Sequence, residues 1–141
     1  MSNDENRAVV EHLWDRLNAR DFAGVGACMS ARGHYVDVPV IDVDEGAFGP
    51  AETEARLRLG IEPLADYVLH PGPITVEGDS AVTEHSETWT WATGETVTLR
   101  FASVMEVRDG KVDRWWDYFD LGVLMNAAPA AWVEHIAGGY K

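Results

Sequence analysis

The sequence contains a single cysteine, Cys28, among its 141 residues. One thiol can form no internal disulfide and no cysteine-rich metal site, and Cys28 lies in a predicted helix where a small core residue is expected. No glycine-rich phosphate loop occurs, and no serine stands in a Gly-x-Ser-x-Gly setting. The sequence predicts neither a metal nor a cofactor, because no metal-ligand spacing links the histidines His12, His34, His70 and His135.

Basic residues are scarce. There are 11 Lys and Arg against 24 Asp and Glu, which gives a formal net charge of −13. An acidic surface of this kind repels phosphate backbones, so we predict no nucleic-acid partner. The few basic residues are scattered along the chain, which also argues against binding to an anionic membrane surface.

Long apolar runs are lacking as well. None approaches the roughly 20 residues that a membrane-spanning helix needs. The first residues, Met1–Asn6, are polar and acidic and lack the basic and apolar regions of a signal peptide. We therefore predict a cytoplasmic protein.

Apolar and aromatic residues are abundant. Hydrophobic residues make up 46% of the chain, and there are six Trp, four Tyr and four Phe. This content excludes a disordered chain, and the length suits one domain with its own core. We predict a single domain over residues 1–141, with the aromatic residues walling either its core or an apolar pocket.

The apolar periodicity predicts helices first and strands afterwards. Asn3 or Asp4 is the expected cap of a first helix, whose apolar stripe is Val9, Val10, Leu13, Trp14 and Leu17. Asp21 is the expected cap of the second helix, and Ser30–Gly33 is predicted to be a break. The further helices are predicted over Phe22–Met29, Ala51–Leu59 and Pro129–Ile136. Strands are predicted over His34–Val40, Asp66–Leu69, Ile74–Val76, Ala81–Trp91, Glu95–Arg108 and Lys111–Leu121. This order is typical of an α+β fold with helices packed on one face of a curved sheet.

Alternation across the strand Ala81–Trp91 predicts a first group of candidate site residues. His85 and Glu87 fall on the same face as Trp89, because successive side chains point to opposite faces of a sheet. If the tryptophan face is the inner one, two ionisable groups point into an apolar concavity. In the alternative, that face meets solvent and both residues are structural.

The last predicted strand gives the second group. Asp117 shares its face with Trp115 and Phe119, and burial among apolar side chains raises the pKa of a carboxyl group and suits it to proton transfer. A structural Asp117 that accepts backbone hydrogen bonds is the alternative. We predict an acid/base pocket whose other substrate-binding residues are Trp89 and, on the apolar face of the strand between, Leu99, Phe101 and Met105.

The segment Asp109–Asp120, which reads DGKVDRWWDYFD, resembles the last strand of limonene-1,2-epoxide hydrolases. These belong to the nuclear-transport-factor-2-like, or SnoaL-like, superfamily. Thr83–Glu87 and Tyr35–Asp37 fall where that family has related motifs, and the order of elements matches over nearly the whole chain. The resemblance implies a cone-shaped, curved sheet of mixed or antiparallel strands with N-terminal helices on its concave side, a cystatin-like α+β barrel.

The resemblance also implies roles for the site residues. Asp117 matches the general base that activates water, and Tyr35 matches a tyrosine that holds this water. Three positions depart from the family pattern: Asp37 stands where the family has Asn, His85 where it has Arg, and Glu87 where it has Asp. In this reading Glu87 is the general acid and His85 bridges the two carboxylates when protonated.

Three functions remain open from the sequence. The first is an enzyme without a cofactor that hydrolyses an epoxide of a small apolar substrate to a diol. The second is a polyketide cyclase, dehydratase or ketosteroid-isomerase-like enzyme that takes a proton next to a carbonyl group. The third is a ligand-binding member without catalysis. The resemblance implies a homodimer, to which Trp116 and Tyr118 on the outward face of the last strand could contribute. In the alternative, the C-terminal tail of the same chain covers them.

Overall fold

The computed structural model describes residues 2–141, which form five helices and seven strands. The helices are α1 (Asn3–Asn18), α2 (Phe22–Cys28), α3 (Gly49–Ile61), α4 (Leu121–Ala127) and α5 (Ala130–Ala137). The strands are β1 (Met29–Asp37), β2 (Ala47–Phe48), β3 (Asp66–His70), β4 (Ile74–Glu77), β5 (Ser80–Thr90), β6 (Thr96–Arg108) and β7 (Lys111–Tyr118). This is the α+β fold that the sequence predicts.

The strands form one mixed sheet in the order β2-β1-β7-β6-β5-β3, and β4 also pairs with β5. The pairs from β7 through β6 and β5 to β3 are antiparallel, whereas β1 runs parallel to β7. The parallel register sets Asp37 beside Asp117. Over the described residues the sheet does not close, so the barrel in the expected fold is an open one.

The first two helices bury apolar faces against the sheet and against each other. The N-cap of α1 is Ser2, so the prediction of Asn3 or Asp4 was wrong. The Ser2 hydroxyl accepts from the backbone N–H of Glu5, and the Glu5 side chain accepts in return. Asp21 caps α2 as predicted, and the stripe that α1 buries includes Val10, Leu13, Trp14 and Leu17.

Helix α3 begins at a glycine that the local geometry requires. Gly49 has a φ of 78°, and a Cβ atom there would lie 2.8 Å from the carbonyl oxygen of Ala31. Pro50 follows in the first turn, where its fixed φ favours the helix. The helix runs from Gly49 to Ile61, longer at both ends than predicted, and packs on α2 and β1.

Strand β1 differs from its prediction at both ends. It begins at Met29, so the predicted break at Ser30–Gly33 was wrong, and a register shift between Met29 and His34 accommodates these residues within the strand. It ends at Asp37, before Pro39. The short strand β2 beside it was not predicted.

The last strand is also shorter than predicted. Strand β7 ends at Tyr118, because the Asp120 side chain accepts from the N–H of Gly122 at 2.9 Å and caps α4. Helix α4 was not predicted. The bounds of β3, β4, β5, β6 and α5 lie within one residue of their predictions. No helix among residues 2–141 is both long and apolar enough to cross a membrane.

Candidate functional site

A cavity of about 170 Å³ lies between the inner face of the sheet, helix α3 and the two C-terminal helices. Its volume is below the roughly 300–1,000 Å³ of pockets that hold drug-sized ligands, so it suits a small molecule. Most of its wall is apolar. The polar side chains that line it are Tyr35, Asp37, Arg56, Glu87 and Asp117.

The predicted faces of the two site strands are confirmed. In β5 the buried side chains include His85, Glu87 and Trp89, and in β7 they include Trp115 and Asp117. The alternative in which these residues face solvent is therefore wrong. In each strand these buried residues are two positions apart, the period with which side chains return to the same face of a sheet.

Asp117 is buried in the cavity wall, and its side-chain hydrogen bonds use one of its two oxygens. Oδ1 accepts hydrogen bonds from the Ser103 hydroxyl at 2.6 Å and from Trp115 Nε1 at 2.7 Å. Neither bond uses Oδ2. Burial raises the pKa of Asp117 well above its ordinary value, and the negative charge of Asp37 raises it further, whereas the bonds from Ser103 and Trp115 lower it.

Asp37 lies next to Asp117 across the parallel strands and has charged surroundings. Arg56 of α3 contacts it, with 2.6 Å between Nη2 and Asp37 Oδ2. The Tyr35 hydroxyl donates to Asp37 Oδ1 at 3.1 Å. We refer to Asp37 and Asp117 as the Asp pair. Both line the cavity, and no charge-bearing partner of Asp117 comparable to Arg56 occurs among the described contacts.

Tyr35 is held as a neutral hydroxyl group. Its ring stacks on Trp115 with 4.1 Å between ring centroids. Burial raises the pKa of Tyr35 well above its ordinary value, and the nearby charge of Asp37 raises it further. The phenol therefore stays a donor over the pH range in which proteins are stable.

Glu87 belongs to a different arrangement, which we call the Glu87 cluster: His85, Glu87 and Trp89. Glu87 Oε2 lies 2.8 Å from His85 Nε2, and Oε1 accepts from Trp89 Nε1 at 3.0 Å. Both carboxylate oxygens are thus engaged. Burial raises the pKa of Tyr67, and the charge of Glu87 beside it raises it further.

His85 occupies the core and does not line the cavity. Its ring stacks on Phe101 with 5.0 Å between centroids and lies 4.4 Å from the ring of Trp14. The predicted bridge between two carboxylates is not formed in residues 2–141, because the hydrogen bond of His85 goes to Glu87 and Nδ1 has no partner.

Four of the six predicted substrate-binding residues line the cavity, namely Trp89, Phe101, Trp115 and Phe119. Leu99 and Met105 do not. They lie on the same face of β6 but are fully covered by the protein core. Alternation assigns a side chain to a face, and on this face the core and the cavity occupy different stretches of the same strand.

The sequence prediction missed Arg56 and most of the wall opposite the sheet. Helix α4 contributes Leu121, Leu124 and Met125, and α5 contributes Trp132 and Ile136. The helical spacing of Trp132 and Ile136 was a signal for α5, but nothing in the sequence alone placed that helix over the cavity. The sequence around Arg56 does not indicate that it belongs to the site, because its partner Asp37 is 19 positions away in the chain.

The arrangement is suited to moving protons. Two neighbouring carboxyl groups, a neutral phenol and a guanidinium group lie at one apolar cavity. Asp37 and Asp117 are neighbours in register, and burial together with the charge of Asp37 disfavours ionisation of Asp117. Among residues 2–141, no three His, Cys, Asp or Glu side chains are arranged to hold a metal ion.

The comparison with protein-family models gives one match, to a family described as the SnoaL-like domain, over residues 10–115. The match includes Asp37 and all of α3 and ends at Trp115, two residues before Asp117. A comparison with the sequences of curated proteins gives no match.

Solved structures with the same fold include three of different described function. An LEH-like epoxide hydrolase from M. tuberculosis has 21% identity and a TM-score of 0.73, with 96% of this chain and 95% of that chain covered. A putative SnoaL-like polyketide cyclase from Jannaschia sp. CCS1 has 20% identity and a TM-score of 0.77, covering 91% and 94%. AclR, a putative hydroxylase from Streptomyces galilaeus, has 20% identity and a TM-score of 0.74, covering 89% and 96%. At these identities the likeness establishes the fold, and one fold carries many chemistries.

Proposed function

The chain belongs to the SnoaL-like domain family, and on that premise we propose that it is a cofactor-independent acid/base enzyme that hydrolyses an epoxide of a small apolar substrate to a diol. The observation that carries the proposal is the Asp pair, two adjacent carboxyl groups that open on one apolar cavity. Opening an epoxide with water needs one group to accept a proton and another to donate one, and the pair supplies both.

The proposed step balances within the Asp pair. Water oxygen attacks an epoxide carbon while the ionised carboxylate takes one proton from that water. The carbon–oxygen bond of the epoxide breaks, and its oxygen takes the proton of the second carboxyl group. The products are the diol and an Asp pair whose proton now lies on the other carboxyl group. Proton transfer between the two neighbouring carboxyl groups restores the starting state.

The other site residues position the reacting groups and do not transfer protons themselves. Tyr35, which donates to Asp37, holds the attacking water or the ionised carboxylate in place. Glu87 is a weaker candidate for the acid than the resemblance implies, because His85 and Trp89 occupy both of its oxygens. We propose that Glu87 contributes negative charge to the cavity and that His85 positions Glu87.

The apolar wall supports a substrate that is small and largely hydrocarbon. Trp89, Phe101, Trp115 and Phe119 present aromatic surface to the cavity, and the C-terminal helices close the opposite side. Exclusion of bulk water strengthens the interactions of the Asp pair with a developing oxyanion. A cyclic or aryl epoxide suits this combination of size and surface.

The test is an assay of the purified protein on cyclic and aryl epoxides in water labelled with heavy oxygen. We expect a diol that carries one solvent oxygen, with the Asp117→Asn variant run in parallel as the control. Failure to form a diol from any epoxide in the panel would reject epoxide hydrolysis.

A proton-transfer enzyme of the isomerase or cyclase kind is the second candidate, and Tyr35 is the observation that favours it. A neutral buried phenol next to a carboxylate can donate to a carbonyl oxygen while the carboxylate takes the adjacent proton. This reaction places no solvent oxygen in its product. Exchange of substrate hydrogen with heavy water, without incorporation of heavy oxygen, would support it over hydrolysis.

We also propose that two copies associate through the outer face of the sheet. Tyr118 is 40% exposed there, so the C-terminal segment does not cover it. The guanidinium carbon of Arg114 lies 4.0 Å from the centre of the neighbouring Trp116 ring. Sedimentation should show a dimer that Tyr118→Glu dissociates, because the substitution buries a charge in the interface. A monomer at all concentrations would rule the dimer out.

A further inference from the structure

Arg56 is the one Lys, Arg or His side chain in the lining of the cavity, as far as residues 2–141 are concerned. It reaches the cavity from α3, while every carboxylate of the cavity comes from the sheet. Its side chain is 23% exposed, and its Nη2 atom lies 2.6 Å from Asp37 Oδ2. A Cβ atom on Gly60 would lie 3.2 Å from Arg56 Nη1, so the absence of a side chain one helical turn along leaves room for the guanidinium group.

The two members of the Asp pair have unequal surroundings. Asp37 has a cation on Oδ2 and a hydroxyl donor on Oδ1. Asp117 has two uncharged donors, and both act on Oδ1. A guanidinium group in contact with a buried carboxylate stabilises its negative charge far more than a hydroxyl or indole donor does. The negative charge of the pair is therefore more stable on Asp37.

We propose that Arg56 is a positioning residue that keeps the single negative charge of the Asp pair on Asp37 and its single proton on Asp117. The roles within the pair follow, and here the inference rests on the proposed function: Asp117 donates the proton to the leaving oxygen, and Asp37 takes the proton from water. This reverses the role that the resemblance implies for Asp117. The location of the proton does not itself depend on the substrate or on the reaction.

The other charged and titratable groups around the pair agree with this distribution. Glu87 of β5 faces Asp117 and adds a second negative charge, which disfavours ionisation of Asp117. Burial is the largest single effect on the pKa of Arg56 and lowers it, but Asp37, Tyr35, Tyr140 and Asp117 together outweigh burial, so the net effect is a raised pKa. Arg56 thus stays charged wherever the protein is folded.

The experiment follows the side-chain carboxyl carbons of Asp by NMR in protein labelled at those carbons. Asp37→Asn and Asp117→Asn each remove one signal and so assign the pair. At neutral pH we expect the wild-type Asp117 signal to be that of a protonated carboxyl group and the Asp37 signal that of a carboxylate. A proton found on Asp37, or two ionised carboxylates, would overturn the proposal.

The variant that tests Arg56 is Arg56→Met, which keeps the apolar stem and removes the charge. We expect the protonated population to move from Asp117 toward Asp37, so that both signals titrate together. Arg58→Met is the matched control, because Arg58 lies on the same helix and pairs instead with Glu54 and Glu62. Unchanged signals in Arg56→Met, or an equal change in Arg58→Met, would contradict the proposal.

Two further variants keep the test decisive if Arg56→Met does not fold. Arg56→Lys retains the charge and should restore the wild-type signals, which a merely structural role would not require. Asp37→Asn removes the anion that Arg56 stabilises, so the remaining Asp117 proton should dissociate at lower pH than in the wild type. An unshifted Asp117 titration in that variant would overturn the inference, whether or not the protein turns over an epoxide.

Discussion

The Asp pair and the Glu87 cluster are both buried, both polar and both on the inner face of the same sheet, yet they differ in how completely their oxygens are used. In the Glu87 cluster each carboxylate oxygen has a donor, from His85 and from Trp89. In the Asp pair, Asp117 directs both of its hydrogen bonds to one oxygen and has a second carboxyl group as its neighbour.

Under the proposed function, this difference separates a structural from a reactive use of buried charge. Burial of an ionisable group costs free energy, which hydrogen bonds and opposite charges offset when all polar atoms are satisfied. The Glu87 cluster is close to that condition. Asp37 also meets it, through Arg56 and Tyr35, whereas Asp117 has no donor on Oδ2 within residues 2–141 and burial raises its pKa. An incompletely satisfied carboxyl group at a cavity is available to a substrate.

Replacement of the Asp117 carboxyl group by an amide, which cannot exchange a proton, should have the largest effect on activity. We expect Asp117→Asn to lower kcat/KM on an accepted epoxide by about 10²–10⁴-fold, the usual contribution of a positioned acid or base. The fold should persist, because the amide has the shape of the neutral carboxyl group. Steady-state kinetics with thermal unfolding checks both. Glu87→Gln should lose less, and an equal loss would remove the distinction between the two sites.

Disruption of the Glu87 cluster should instead show most clearly in stability. We expect His85→Ala to lower the free energy of unfolding by about 3 kcal/mol, because it opens a hole beside Phe101 and leaves Glu87 buried with one donor. Chemical denaturation measures this. A second substitution, Glu87→Gln, should recover part of the loss. A stable His85→Ala protein without turnover would place His85 in the reaction itself.

The pH dependence of stability should distinguish the two regions further. Burial raises the pKa of Asp117, so the folded state binds this proton more tightly than the unfolded chain does. Below the ordinary carboxyl pKa of about 3.9, this bound proton makes its full contribution to the free energy of unfolding. The contribution is lost as the pH rises through the folded-state pKa of Asp117, by up to about 1.4 kcal/mol per pH unit. The free energy of unfolding of the wild type relative to Asp117→Asn should therefore fall over that interval. A constant difference would show that Asp117 titrates like an exposed residue.

The smallest expected effect concerns Tyr35. Tyr35→Phe removes the hydroxyl that donates to Asp37 but keeps the ring stacked on Trp115. Loss of one such hydrogen bond should lower kcat/KM by about tenfold, with a stability change of roughly 1 kcal/mol because Arg56 still satisfies Asp37. Kinetics and denaturation of the same preparation give both numbers. A loss as large as that of Asp117→Asn would mean that the hydroxyl itself transfers a proton.

The faces of the site strands could be predicted from the sequence because they depend on a local rule. Alternation placed Glu87 on the face of Trp89 in β5 and Asp117 on the face of Trp115 in β7, and both of these faces are buried. The same rule could not separate Leu99 and Met105 from the cavity residues, because it carries no information on what covers a face at each point along the strand.

The features that were missed depend on contacts between distant parts of the chain or on competing local signals. Arg56 is part of the site only because α3 packs on β1. The end of β7 was misplaced because Phe119 and Leu121 continue the strand alternation, while Asp120 between them is a helix cap. Here the cap prevailed over the alternation, since its side chain satisfies two backbone N–H groups of α4.

The indole of Trp132 ties α5 to α3 by donating to the carbonyl oxygen of Gly60 at 2.9 Å, and it completes a wall that holds no ionisable group. All ionisable side chains of the cavity come from β1, α3, β5 and β7, upstream of that wall. One apolar side of the cavity is thus encoded entirely after the ionisable residues. Substitutions within residues 121–141 can reshape that side of the cavity while every ionisable residue of the cavity stays unchanged, which makes the C-terminal segment a natural target for altering what the cavity accepts.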